Sequence, residues 1–151
     1  MDAVDLELLR TLVADGRITF SELATRVKLS GPSTAERVRR LEADGVISRY
    51  SAILNPDSVD ADLAAFVSVT LAGPEAREAF IAAASADPAI LELHHTAGEG
   101  DYLLKVRCAT TRELERIVSE RIKGIAGVSG TRTTVVLSTT FERQLGVRAG
   151  V

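Results

Sequence analysis

Three groups of residues in this 151-residue chain have the types and spacing to do chemistry. The first lies in GPSTAERVRRLEA, residues 31–43. Wound as a helix at about 100° per residue, this stretch puts Ala35, Val38 and Leu41 on one side, where burial is expected. Ser33, Glu36, Arg37 and Arg40 gather opposite, with Arg39 at the flank. Arginine forks can grip guanine edges or phosphates, and the amides of a helix's first turn can hold a phosphate. Alone, such a face is more often simply a solvated one. The second group is the pair His94 and His95, beside a glutamate and close to Asp101. Alternation along a strand sends the two rings to opposite faces, so they cannot form one ligand pair. No metal-ligand spacing, nucleophile motif or phosphate loop accompanies them, and neither a metal nor a cofactor is expected. The third is Cys108, the single cysteine, which excludes an internal disulfide and fits a reducing cytoplasm. It sits in an apolar run, as an inert core thiol would.

The elements needed to hold the arginine face are legible around it. Thr19 with Glu22 is a capping box for a helix carrying Leu23, Ala24 and Val27 on one face. Leu29 plugs the following turn. Ser30 or Gly31 caps the next helix, Pro32 falls in its first turn, and Gly45 stops it after Asp44. That is helix–turn–helix spacing, and it makes DNA binding the leading reading of the arginine face. An earlier helix over residues 2–15, capped by Asp2 or Asp5 and striped with Leu6, Leu9, Leu12 and Val13, completes a three-helix head. Val46 to Leu54 reads as a short extended segment, either a small wing or a tether. Asn55-Pro56-Asp57 is a turn.

The remainder alternates at the period of strands and helices. Residues 64–71 form a strand with Val67, Val69 and Leu71 on one face and Phe66, Ser68 and Thr70 on the other. A helix over 74–87 buries Phe80, Ile81 and Ala84. Strands over 90–96 and 102–108 make a hairpin around Gly98-Glu99-Gly100-Asp101. Thr110 and Glu113 suggest a second capping box, on a helix burying Leu114, Ile117, Val118 and Ile122. A long strand over 128–140 closes the chain. The fold class is therefore α+β: a three-helix, winged-type helix–turn–helix over residues 1–50, a linker over 51–62, and a βαββαβ ferredoxin-like domain over 63–151. Helices cover one face of that sheet. The apolar residues on the other predict burial against a second subunit.

Charge agrees with this division. The net charge is −3, yet residues 26–50 hold six basic against three acidic side chains, and residues 51–151 carry the deficit. Local positive charge suits modest DNA affinity per subunit, which an oligomer multiplies. Met1-Asp2 opens acidic, without a signal peptide's pattern, and the longest nearly uncharged stretch, Leu63 to Gly73, is too short to span a bilayer. A cytoplasmic protein is expected.

Four stretches, DGRITFSELATRVKLS, ERVRRLEADGVISRYSAILNP, GEGDYLLKV and GVSGTRTTVVL, occur in an order and spacing that resembles the Lrp/AsnC, or feast/famine, family of regulators over residues 2 to about 145. The resemblance implies a transcriptional regulator of amino-acid metabolism genes that binds double-stranded DNA and assembles as a homodimer, onward to a tetramer or octamer. It places Ser33, Thr34, Glu36 and Arg37 on the reading helix and makes Arg39 and Arg40 its phosphate-side pair. It also implies a small-molecule amino-acid effector on Gly98, Glu99, Gly100, Asp101 and Tyr102, with Thr133, Thr134 and Val136 contributed by a neighbouring chain where dimers meet. Glycines let a backbone approach a zwitterion, and Asp101 can take its ammonium. Two departures from the family pattern are Glu99, a second carboxylate in the loop, and Gly31-Pro32 at the reading-helix start.

Sirohaem decarboxylases of tetrapyrrole biosynthesis resemble the same two-part architecture and use histidines, but the arginine-bearing helix argues against an enzyme. An amino-acid-binding assembly protein without DNA affinity is disfavoured by the same basic cluster.

Overall fold

The computed structural model describes residues 1–143 and 145–147. It separates into two compact units, Met1–Ile53 together with the described residues from Phe141 onward, and Leu54–Thr140.

The first unit is built on three helices, α1 (Ala3–Ala14), α2 (Phe20–Val27) and α3 (Gly31–Ala43). Each starts where a side chain can take an orphan backbone N–H. Asp2 and Asp5 form a reciprocal capping box on α1, and Thr19 and Glu22 form one on α2. Ser30 caps α3, with Pro32 in the first turn. Lys28 closes α2 in a left-handed conformation, φ 56°, and Gly45, φ 71°, turns the chain after α3. Leu8, Leu23 and Val38 meet at the centre, and Val4, Leu12, Ile18, Val27 and Ile47 pack around them.

Three expectations need correcting here. The buried stripe of α1 runs through Asp5, Leu8 and Leu9, spaced three and four apart, which leaves Val13 exposed. In α3, Thr34 is buried and Ala35 only half-buried, because the Thr34 hydroxyl donates to the Ser30 carbonyl at 3.0 Å and so needs no water. Val46 to Leu54 forms no strand, having no ladder partner. It is tied back instead by Ile47 N–H to the Leu41 carbonyl at 3.0 Å and by the Tyr50 hydroxyl to Glu42 Oε1 at 2.9 Å.

The second unit is a four-stranded antiparallel sheet in the order β2-β3-β1-β4, where β1 is Leu63–Leu71, β2 Ile90–His95, β3 Tyr102–Cys108 and β4 Val128–Val135. Helices α4 (Arg77–Ser85) and α5 (Thr111–Arg116) complete the βαββαβ order. Ala65, Val67 and Val69 of β1 and Tyr102, Leu104 and Val106 of β3 pack with Phe80, Ala84, Leu114, Ile117 and Ile122 in one core. Alternation puts Phe66, Ser68 and Thr70 on the opposite face.

The ends of several elements differ from expectation. The helix predicted from residue 74 begins as a 3-10 turn, Pro74–Ala76, before α4. Helix α5 passes into a π-helical turn, Ile117–Ile122, and Glu113 accepts from the Ala109 N–H instead of completing a capping box on Thr110. Strand β4 ends at Val135, not near 140, because β1 begins at Leu63 and offers no partner beyond the Val136 N–H to Ala64 carbonyl bond.

Candidate DNA-reading face and effector pocket

In the helical unit, α3 carries the residues expected to touch DNA, but they do not act alike. Ser33, Glu36 and Arg39 are exposed, and neither Glu36 nor Arg39 makes an ion pair among the described residues. Thr34, by contrast, is sealed inside the fold, and its reading role is withdrawn: a hydroxyl already spent on its own helix cannot reach a base. Arg37 and Arg40 are occupied. Arg37 Nη1 donates to Asp2 Oδ2 at 2.7 Å and Asp5 Oδ1 at 2.8 Å, while Arg40 Nη2 donates to both Asp5 oxygens at 3.1 Å.

Asp5 is the centre of this cluster, at 1 % exposure. Burial works against its charge, but the Asp2 N–H and the Arg37 guanidinium outweigh it and hold the carboxyl below its ordinary value. Asp2 is held low chiefly by the Asp5 N–H and then by Arg37. Arg37 is held correspondingly high by Asp2 and then Asp5. The capping acids of α1 therefore also fasten α3. Nothing in the sequence pairs these two ends, since 32 residues separate Asp5 from Arg37.

In the sheet unit the loop from Gly98 to Asp101 is fixed by bonds from three sides. The Asp101 N–H donates to the Val69 carbonyl at 2.8 Å, and Asp101 Oδ2 accepts the Leu71 N–H at 2.7 Å. That second bond falls where the β1 ladder is irregular, between Thr70 and Leu71. The Thr96 hydroxyl donates to the Gly100 carbonyl and the Ser68 hydroxyl to the Glu99 carbonyl, both at 3.2 Å. Glu99 is gripped at both oxygens by Arg132 at 2.5 and 2.7 Å. Arg132, which sequence reasoning missed, thus joins the loop to β4 within one chain.

Gly98, Glu99, Gly100, Asp101 and Tyr102 are together, as contiguity requires, but Tyr102 turns into the core. Thr133 and Thr134 stand opposite Val67 and Phe66, so alternation divides them between the two sheet faces, and Val136 lies past the end of β4 on the Thr134 side. His94 contacts Glu92 at 3.0 Å, whereas His95 stands against the Tyr102 ring, centroids 5.2 Å apart. The two histidines are separated as alternation demands. Burial, and then the nearby Glu113 carboxylate, push the Cys108 thiol up, which keeps it protonated and unreactive.

A pocket of ≈ 260 Å³ opens beside this loop, bounded by Leu71, Arg77, His95, Asp101 and Tyr102 among others. Sequence reasoning singled out neither Arg77 nor any partner for it, since the first turn of α4 and the loop are joined only by folding.

A reading helix with an exposed flank on one unit and a small pocket on the other is the build of a ligand-responsive DNA-binding regulator. Comparison with known proteins agrees. The family model described as winged helix-turn-helix DNA-binding matches residues 1–48, and that of the Lrp/AsnC ligand binding domain matches residues 64–145. The leucine-responsive regulatory protein of Salmonella typhimurium is 42% identical over 139 residues, 91% of this chain and 85% of that one. Its Escherichia coli K12 counterpart is 41% identical over the same share of each chain. A Neisseria meningitidis transcriptional regulator solved with L-methionine superposes with a TM-score of 0.90 at 31% identity, over 95% of this chain and 94% of that one. A feast or famine regulatory protein of Mycobacterium tuberculosis, also solved with L-methionine, gives 0.90 at 40% identity, over 97% and 99%. The chain belongs to the Lrp/AsnC family of DNA-binding transcriptional regulators. This assignment favours the regulator over the sirohaem-decarboxylase alternative. No helix among the described residues is long and apolar enough to cross a membrane.

Proposed function

We propose that this protein regulates amino-acid metabolism genes in the cytoplasm, sensing a free amino acid and carrying out no catalysis of its own. Residues 1–50 bind DNA, 51–62 link, and 63–151 bind the effector and form the oligomer. The observation that carries this reading is the pinned loop at Gly98–Asp101. It supplies a fixed carboxylate and an open backbone turn at one end of the sheet, in a chain whose solved relatives include two regulators holding L-methionine. On the DNA side, Ser33, Glu36 and Arg39 meet the duplex directly. Arg37 and Arg40 set the angle of α3 and offer phosphates only the N–H groups left over from Asp2 and Asp5.

Dimers form through the open sheet face, where Phe66 is 39 % exposed beside Ser68 and Thr70, and assemble further to tetramers or octamers. Two heads then engage a pseudo-palindromic double-stranded site. Effector on the loop, with Thr134 and Val136 of a neighbouring chain, favours one assembly over another and shifts DNA affinity by its differential binding. The test is a gel-shift titration on DNA upstream of the protein's own gene, with and without an amino-acid pool, at two salt concentrations. Salt-sensitive binding that the pool changes is expected. Binding that ignores the pool would remove the sensor, and no binding at either salt would remove the regulator.

A further inference from the structure

The two acids that hold Arg37 stand in different surroundings. Asp5 is sealed: its side chain is 2 % exposed, and it accepts the Asp2 N–H as well as bonds from Arg37 and Arg40. Asp2 stands at the rim of the same cluster with its side chain 53 % exposed. Its Oδ1 caps α1 by accepting the Asp5 N–H, while Oδ2 accepts from Arg37 at 2.7 Å. Capping and pairing are thus done by different oxygens of one side chain.

Arg37 keeps unused capacity. Both of its bonds leave from Nη1, and its Nε and Nη2 make no hydrogen bond among the described residues. Its side chain is 27 % exposed, so solvent reaches the guanidinium, and a phosphate can too. Asp2, Asp5, Arg37 and Arg40 together are neutral, which cancels part of the positive charge on α3 that a duplex would meet. The two acids are not equally removable. Taking the charge from buried Asp5 leaves two guanidinium groups without their shared partner. An exposed pair such as Asp2–Arg37 contributes little to stability and exchanges readily for another anion.

We propose that Asp2 attenuates DNA binding: it occupies Arg37 in the free protein and yields it to a phosphate of the duplex, while Asp5 stays bonded and keeps α3 in place. This assignment rests on the reading that the arginine-bearing side of α3 meets DNA, and it deepens that reading. Phosphate contacts carry no base information, so the attenuation acts alike on operator and unrelated sequence. It makes an acid on α1, not only the arginines of α3, a determinant of affinity.

The experiment is a fluorescence-anisotropy titration of the full-length protein and Asp2→Asn with two labelled duplexes, one from upstream of the protein's own gene and one of random sequence. Asn caps a helix as well as Asp does, so α1 should remain intact, and circular dichroism and melting temperature check this. Asp2→Ser, which also caps but is too short to reach Arg37, serves as the second variant. Expected is tighter binding of both duplexes by Asp2→Asn, about tenfold at roughly 50 mM salt and about threefold at roughly 200 mM, because one added phosphate contact steepens the salt dependence by about one. The gain should vanish when Arg37→Ala is added, measured against Arg37→Ala alone. Unchanged or weaker binding by both folded Asp2 variants would overturn the proposal. A gain that persists without Arg37 would overturn the role of that guanidinium, and a gain on one duplex only would overturn the exchange onto phosphate. If wild type binds neither duplex, the α3 reading fails and this inference with it; if wild type binds and the variants show no gain, this inference alone fails.

Discussion

Asp5 is almost wholly buried and has three partners, the Asp2 N–H and the Arg37 and Arg40 guanidinium groups, which makes it the most consequential single side chain of the helical unit. Replacing it by Asn keeps its shape but removes the charge that both guanidinium groups face. The expected cost is about 1.5–3 kcal/mol in the helical unit, read by urea unfolding. Arg39→Ala should leave that stability unchanged and lower the slope of log DNA affinity against log salt by about 1. Thr34→Val, which changes only a buried hydroxyl bonded to its own helix, should leave DNA affinity intact. If Thr34→Val instead weakens binding as Arg39→Ala does, the assignment of α3's exposed face is wrong. The acid pair also sets a pH dependence. Asp2 and Asp5 both titrate below the ordinary aspartate value of 3.8 in the folded state. Their stabilisation is therefore fully present above about pH 4 and is lost as the pH falls through their lowered values. Acid unfolding of wild type should steepen below that point, and Asp5→Asn should flatten it.

At the level of elements, the loop before β3 depends on one backbone conformation. Gly100 has φ 86°, and a Cβ there would lie 2.2 Å from Ser68 Oγ and 3.4 Å from the Val69 carbonyl. Gly100→Ala therefore combines strain with a clash against the strand that pins the loop. It should destabilise the sheet unit by about 1–3 kcal/mol and abolish effector response, read by thermal shift with and without amino acid. The Glu99–Arg132 pair is exposed on both sides, so Glu99→Gln should change stability by less than about 1 kcal/mol. The π-helical turn after α5 has no counterpart in the sequence pattern. Apolar residues at 114, 117, 118 and 122 fit an ordinary helix equally well, and only packing against the sheet distinguishes the two.

For the whole molecule, the net charge of −3 suits weak binding by one head, for which the paired heads of the proposed dimer would compensate through effective concentration. Phe66→Glu on the open sheet face should divide the proposed oligomer, seen by analytical ultracentrifugation. DNA affinity should fall about 100-fold or more while circular dichroism stays unchanged. An oligomer unaffected by Phe66→Glu would place the subunit contact elsewhere.

What the sequence by itself determined was local. Caps at Asp2, Thr19 and Ser30, the left-handed stop at Gly45, the alternation through Val67 and Val69, and the glycine turn before Tyr102 each act within a few residues, where backbone sterics and hydrogen-bond reach leave few choices. The same local rules failed at the ends of elements. Val46 to Leu54 and the stretch after Val135 have strand-like composition, but a strand exists only where a partner's backbone is free. Side-chain partnerships were decided by the tertiary structure alone. A helical projection shows that Arg37 and Arg40 face away from Val38, but not that α1 brings Asp2 and Asp5 to meet them. Likewise nothing along the chain announces that Arg77 and Asp101 border one pocket. Contacts across tens of residues depend on how whole helices and strands pack, and periodicity within each element carries no record of its neighbour.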